Sequence, residues 1–198
     1  MSSLNTILPP FGPDRSWTLF IDRDGVINQK RDNDYVKHWG EFIFIPGVLD
    51  ALSVLSQRFG RLIVVTNQRG IGRGLMTEAD LADVHARMMQ EIEAAGGKID
   101  RIYHAPHLAG DDHRGWRKPK PGMALQAQED FPDIDFAKSI VIGDSLSDMM
   151  FGRNAGMHTV WVTEETNPLP SDDSVDLRIA GLPEFSQWLE RVQQSSSS

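Results

Sequence analysis

Trp17-Thr18-Leu19-Phe20-Ile21-Asp22-Arg23-Asp24-Gly25-Val26 is the stretch on which the fold turns. Its first five residues are apolar or β-branched, and the run stops at two carboxylates with an arginine between them. A helix would space its apolar residues by three and four, and a strand with one wet face would alternate. Consecutive apolar positions that end at charge fit a short strand covered on both faces. Arg61-Leu62-Ile63-Val64-Val65-Thr66, Ile99 to His104, Ser139-Ile140-Val141-Ile142-Gly143 and Thr159-Val160-Trp161-Val162 repeat the form.

Helical patterns lie between these runs. Leu81, Val84, Met88 and Ile92 recur at three- and four-residue spacing, and Thr77 with Asp80 resembles a capping box before them. Val48, Leu49, Leu52 and Leu55 make a similar face after Pro46-Gly47. Strands alternating with helices predict βαβ units, right-handed crossovers and a parallel sheet. In such sheets ligands lie beyond the carboxyl ends of the strands. The residues that follow each apolar run are therefore the candidates for function.

Bulk properties narrow the classes. A chain of 198 residues fits one domain, here expected over residues 16–192, with an arm over 1–15 rich in proline and a disordered serine tail over 193–198. The net charge of −8 argues against a nucleic-acid or membrane-surface partner, both of which need basic patches. With no cysteine, disulfides and thiolate metal sites are excluded. No apolar run approaches the ~20 residues of a membrane span, and Met1 to Asn5 lack the pattern of a signal peptide. A cytoplasmic, monomeric protein acting on a small molecule is the expectation.

The strand ends carry a coherent chemistry. Asp22-Arg23-Asp24-Gly25 follows the first run, Thr66-Asn67-Gln68 the second, Arg117-Lys118-Pro119 a loop beyond the third, and Gly143-Asp144-Ser145 with Asp148 the fourth. Cleaving a phosphate ester calls for a divalent cation on oxygen ligands, which Asp22 and Asp144 would supply. It also calls for a nucleophile, Asp22, able to form an acyl-phosphate. Asp24 would serve as acid and then base. Gly25 would turn the chain with its amides free for phosphate oxygens, and Thr66 and Lys118 would donate to oxygens that gain charge. Each element has an ordinary reading alone: a turn, a strand terminator, an exposed Lys-Pro, a helix N-cap at Gly-Asp-Ser. Their occurrence in order at successive strand ends favours the catalytic reading.

Phe20-Ile21-Asp22-Arg23-Asp24-Gly25-Val26-Ile27-Asn28, Val64 to Gly74, Arg117-Lys118-Pro119-Lys120-Pro121-Gly122-Met123 and Ile142-Gly143-Asp144 with Asp148 resemble the four motifs of the haloacid dehalogenase (HAD) superfamily of aspartyl-phosphate phosphatases. The likeness extends over roughly residues 17–163 and is closer to the branch of heptose-1,7-bisphosphate phosphatases and histidinol phosphatases. It implies a Rossmann-like three-layer α/β sandwich with a mainly parallel central sheet and no large cap domain. It implies magnesium held by Asp22, the carbonyl of Asp24, and Asp144, with Asp148 orienting the ligands from behind. Thr66, Asn67, Gln68 and Lys118 would bind the transferred phosphate, and Arg69, Arg117, Asp32 and Tyr35 the rest of the substrate. Asp32-Asn33-Asp34-Tyr35-Val36 resembles the heptose loop, so a sugar bisphosphate is the expected substrate. Histidinol phosphate, phosphoryl transfer to an alcohol, and non-catalytic binding are the alternatives.

The pattern also breaks. Relatives in that branch hold a structural zinc with three cysteines and a histidine before the third motif, whereas here only His107 matches and Ala105, Arg114 and Trp116 stand in the cysteine positions. A structural zinc is therefore expected to be absent, the loop being held by Trp116 and local hydrogen bonds. An improvised site from His104, His107, His113, Asp111 and Asp112 is the competing reading. Ser145 and Arg69 also depart from the branch, suggesting that a cation has changed sides in the pocket.

Overall fold

The five expected strands lie in one sheet. The computed structural model describes residues 13–31, 34–108, 110–163 and 174–196. Within them the strands are β1 (Thr18–Ile21), β2 (Arg61–Asn67), β3 (Arg101–Ala105), β4 (Ser139–Gly143), β5 (His158–Val162) and a sixth, β6 (Leu177–Ile179). Their order is β3-β2-β1-β4-β5-β6, with every neighbouring pair parallel. Ile21 lies level with Val64 and Ile142, so the residues just beyond these strands emerge at one edge. The order reverses between β1 and β4, which opens a crevice at that edge.

Successive residues of each central strand feed opposite faces. Leu19, Ile21, Leu62, Val64, Ile140 and Ile142 pack on one side with Leu52 and Leu55 of α1 (Val48–Arg58). After the short α2 (Arg69–Gly72), α3 (Glu78–Ala94) adds Val84, Met88 and Ile92 to the same layer. Phe20, Ile63, Val65 and Val141 face the other side, against Met123 and Ala127 of α4 (Gly122–Asp130) and Phe151 of α5 (Leu146–Ala155). The last helix, α6 (Leu182–Ser196), returns to the first layer through Leu182, Phe185 and Leu189. The result is a three-layer sandwich whose central strands are dry on both faces, as their unbroken apolar runs require.

No large cap is inserted in the described residues. Between β1 and α1 the chain folds back on itself as a small flap, with Gln29 N donating to Ile43 O (2.8 Å) and Ile45 N to Ile27 O (3.0 Å). Trp39, Phe42 and Phe44 stack within it, with centroids 5.1 Å and 4.9 Å apart. At the carboxyl end α6 continues to Ser196, past the boundary at 192 where serine content placed the tail. Most of the predicted arm (1–12) and the last two residues lie outside the described residues, whereas Arg15 is tied to the body through Nη1 to Gln57 O (3.2 Å). Among the described residues no helix is long and apolar enough to cross a membrane.

The predicted capping box is formed at α3: Asp80 N donates to Thr77 Oγ1 (3.1 Å) and Thr77 N to Asp80 Oδ2 (2.8 Å). Losing an N-cap hydroxyl costs about 1 kcal/mol. Thr77→Ala is expected to lower unfolding stability by that amount in a urea titration while leaving catalytic rates unchanged, because neither Thr77 nor Asp80 lines the cleft at the carboxyl edge of the sheet.

Candidate active site

A cleft of about 550 Å³ opens at the carboxyl edge of the sheet, and Asp22, Asp24, Thr66, Lys118 and Asp144 all line it. Asp22 directly follows β1 and donates its main-chain N–H to Ile142 O (2.9 Å), which prolongs the sheet by one residue. Its carboxylate is buried. Lys118 Nζ reaches in from the α4 side, 2.8 Å from Asp22 Oδ1, 2.5 Å from Asp148 Oδ1 and 2.8 Å from Val65 O. Burial pushes Asp22 up to about 7 against the opposing pull of Lys118, and the carboxylates of Asp148 and Asp144 add to the rise. Burial alone would lower Lys118, but Asp148 and Asp22 hold it charged and above its ordinary value.

Glycine makes this approach possible at two points. Gly25 has φ +89°, and a Cβ there would overlap the Asp144 carboxylate; a Cβ at Gly143 would overlap the Asp148 side chain. The steric role replaces the one predicted for Gly25, since its N–H is already donated to Asn28 O (2.8 Å). Asp148 carries two duties: it pairs with Lys118, and it closes a capping box at α5, where Ser145 N donates to Asp148 Oδ2 (3.1 Å). The modest reading of Gly-Asp-Ser as an N-cap thus holds for Ser145, beside the exposed role of Asp144.

Asp24 is clamped. Arg23 Nη2 donates to both of its oxygens (2.9 and 3.0 Å), Asn28 Nδ2 to Oδ1 (3.0 Å) and Gln68 Nε2 to Oδ2 (2.9 Å). Burial would raise this carboxyl, but Arg23 together with the Asn28 and Gln68 bonds holds it below the usual carboxylate range. Thr66 Oγ1 accepts from Gln68 Nε2 (2.9 Å), leaving its own proton to donate into the cleft. Arg23 is the largest fully buried side chain, and sequence reasoning passed over it because an arginine between two aspartates reads as solvated charge.

Two predicted ligand residues make supporting contacts, although Asn67 also lines the cleft. Gln68 is buried behind the cleft wall, its amide bridging Asp24 and Thr66, so it supports the phosphate-facing residues rather than joining them. The Asn67 side chain faces the main chain of Lys118, accepting from Lys118 N (3.0 Å) and donating to Lys118 O (3.2 Å), and so fixes the lysine's entry. Asp32 lies outside the described residues. Tyr35, Arg69 and Arg117 do line the cleft, joined by Lys30, Arg31, Arg73 and Ser147, which the sequence reading missed. Arg73 stands over the Tyr35 ring at 5.8 Å. Arg117 is pressed below its ordinary value by burial and by the nearby Arg69 charge, and its Nη1 is buried with no partner among the described residues.

The donor set fits a hard divalent cation. Asp22, Asp144 and Asp148 bring carboxylate oxygens within 4.8 Å of one another, the one such group of His, Cys, Asp or Glu among the described residues. Asp144 Oδ1 is buried without a partner among the described residues, while Lys30 Nζ rests on Oδ2 at 2.6 Å. All-oxygen ligands facing a cleft suit magnesium better than softer metals.

In the loop before Lys118 no three of the described His, Asp or Glu side chains come together as a metal-holding group. His104 Nε2 pairs with Glu78 Oε2 (2.8 Å), outside the loop. Asp112 is buried and accepts from Trp116 N (2.8 Å) and Arg117 N (3.2 Å). Trp116 packs edge-on against Tyr103 at 6.2 Å.

Known proteins place these features in context. Residues 115–175 match the HAD-hydrolase-like family. The D-glycero-alpha-D-manno-heptose-1,7-bisphosphate 7-phosphatase of Mycobacterium bovis is 41% identical over 142 residues, covering 70% of this chain and 72% of its own. The enzyme of the same name from Campylobacter jejuni is 43% identical over 147 residues, covering 74% and 82%. Among solved structures, D,D-heptose 1,7-bisphosphate phosphatase from B. bronchiseptica complexed with magnesium and phosphate superposes with a TM-score of 0.78 at 32% identity, covering 88% of this chain and 98% of that one.

Asp22 is raised in the folded chain to about 7, so its proton is held more tightly there than in the unfolded chain. That contribution to stability is lost as pH climbs through the interval from the ordinary carboxylate range to about 7. A cation at the cluster competes with this proton. Added magnesium is expected to raise the melting temperature more at about pH 8 than at about pH 5. Equal rises at both would contradict a cation at Asp22.

Proposed function

The chain belongs to the HAD-like phosphatases, and we propose that its substrate is a heptose 1,7-bisphosphate, from which it removes the phosphate at C7. The observation that carries this reading is the lining of the cleft. The same cleft holds Asp22, Asp24, Thr66 and Lys118 for the reacting phosphate, and Arg69, Arg73 and Arg117, with Arg69 close to Arg117, as cations for a second anionic group. Guanidinium groups suit planar, bidentate recognition of phosphate. The names of the Mycobacterium bovis and Campylobacter jejuni relatives support the choice of sugar.

On this reading Asp22 attacks phosphorus, and the bond from phosphorus to the ester oxygen breaks. Asp24 gives a proton to that departing oxygen. A water then attacks the aspartyl-phosphate as Asp24 takes its proton, and inorganic phosphate leaves with Asp22 restored. Lys118 and Thr66 donate to the equatorial oxygens as charge builds on them. Magnesium, held by Asp22, Asp144 and the carbonyl of Asp24, would neutralise the phosphate oxygens so that a carboxylate can approach. Asp148, through Ser145 and Lys118, keeps the cluster aligned. Asp24 rests in its ionised form; it takes a proton from solvent as the anionic substrate enters beside it, gives that proton to the ester oxygen and takes another from the hydrolytic water.

We also infer that the loop carrying Arg117 and Lys118 is set by the Asp112 turn and the Trp116 packing, without a structural zinc.

Asp22→Asn is expected to abolish phosphate release from heptose 1,7-bisphosphate with the circular dichroism spectrum unchanged. Appreciable residual turnover would rule out covalent catalysis. A screen of sugar phosphates, histidinol phosphate and nucleotides tests the choice of substrate, and preference for any monophosphate lacking a second anion would overturn it. Elemental analysis is expected to find no stoichiometric zinc; one tightly bound zinc per chain would refute the loop assignment.

A further inference from the structure

We propose that Arg23 and His85 are positioning residues for Asp24, with His85 sharing the Arg23 guanidinium and so setting how Asp24 is aimed at the leaving oxygen. The inference rests on the reading of Asp24 as acid and base.

A buried guanidinium has five N–H donors, and each lacking an acceptor is costly. Arg23 is 0% exposed. Its side chain has two anchors: Nη2 on both Asp24 oxygens, and Nη1 at 3.2 Å from His85 Nε2. Its Nε has no partner among the described residues. The plane of the guanidinium, and hence the direction from which it holds Asp24, is therefore fixed by one imidazole on the far side. His85 comes from the buried face of α3, a helix that supplies no residue to the cleft wall.

The pairing dictates the state of His85. Arginine only donates, so Nε2 must present its lone pair and the ring proton must sit on Nδ1. Burial, and then the adjacent Arg23 charge, push His85 down to about 3. The ring therefore stays a neutral acceptor across the whole neutral range.

The consequence falls on one chemical step. Asp24 receives bonds from Arg23, Asn28 and Gln68, all of which favour its anion. To act as an acid it must carry a proton while still pointing at the ester oxygen. With His85 drawing on Nη1, the guanidinium is divided between two acceptors. Without that acceptor the buried cation has Asp24 alone, so it either binds the anion more tightly or turns out of plane. Both changes impair proton donation to a poor leaving group, and neither touches Asp22 attack on a substrate whose leaving group needs no proton.

The test compares kcat/KM, which reports steps through formation of the aspartyl-phosphate, for heptose 1,7-bisphosphate and for para-nitrophenyl phosphate. His85→Leu is expected to lower the sugar-phosphate value by about tenfold or more and the aryl-phosphate value by less than about twofold. His85→Gln, which returns an acceptor, is expected to recover most of the loss. A purely structural role would lower both substrates alike, and that result, or no change in either, overturns the inference. Should His85→Leu fail to fold by circular dichroism, His85→Asn, whose acceptor falls short of Arg23, carries the same comparison. Asp24→Asn is the reference. If it shows no leaving-group selectivity, the acid assignment itself is wrong. If it does while the His85 variants do not, only the positioning role fails.

Discussion

One ammonium holds the site together. Lys118 Nζ is buried between Asp22 Oδ1, Asp148 Oδ1 and Val65 O. These groups belong to the end of β1, to α5 and to β2, so a single charge joins three elements at the sheet's open edge. Two buried carboxylates this close would repel strongly in a medium that screens poorly. Lys118 turns that repulsion into attraction, and its own desolvation is offset by three acceptors. Removing one partner of such a pair typically costs about 3–5 kcal/mol, so the constraint is severe in both directions. The entry of Lys118 is fixed in turn by Asn67, which grips its main chain on both sides. The cis peptide between Lys118 and Pro119 lies in the same turn.

Around that centre the charge is deliberately unbalanced. Three carboxylates converge on one buried ammonium, and Lys30, half exposed, rests on the third at Asp144. A divalent cation at the cluster would make the Lys30 charge surplus there, leaving it to face an incoming phosphate. Arg69, Arg73 and Arg117 line the same cleft, and the Arg69 charge helps to press Arg117 below its ordinary value. Cations gathered in one cleft raise the local potential and favour an anion there. An overall charge of −8 therefore coexists with a cleft lined by several cations.

The parts legible in the sequence were those fixed by one physical rule. Strands covered on both faces must be apolar throughout, so β1, β2 and β4 announced themselves, and with them the carboxylates at their ends. The Thr77 cap was legible because its chemistry is local. β6 was not: Leu177-Arg178-Ile179 is three residues at a sheet edge with a charge at its centre. Its place depends instead on Asp176, which accepts from Thr159 N (2.8 Å) and Arg153 Nη2 (2.6 Å). The supporting contacts of Gln68 and Asn67 were hidden for the same reason. An amide beside a phosphate motif can face the ligand or support a neighbour, and only the positions of Asp24, Thr66 and Lys118 decide which. Arg23 was overlooked because a sequence does not distinguish a buried cation from a solvated one, and the exposed Lys30 and Arg73 because it does not show which surface cations border a cleft.

The loop before Lys118 shows how a few local contacts can set two adjacent cations in different directions. It must present Arg117 outward and Lys118 inward from adjacent positions, so its backbone has to be rigid through that pair. Asp112 does this with one carboxylate: Oδ1 accepts from Trp116 N, Oδ2 from Arg117 N, and Lys120 pairs with it at 3.3 Å. Those bonds and Lys120 hold Asp112 below its ordinary value although burial opposes them. Trp116, wedged against Tyr103 with Arg114 over its other face at 5.6 Å, stops the turn from sliding. Two amides and one ring thus hold the turn. Its rigidity therefore depends on Asp112 remaining ionised and dry, and the aim of Arg117 at a second anionic group depends on it too.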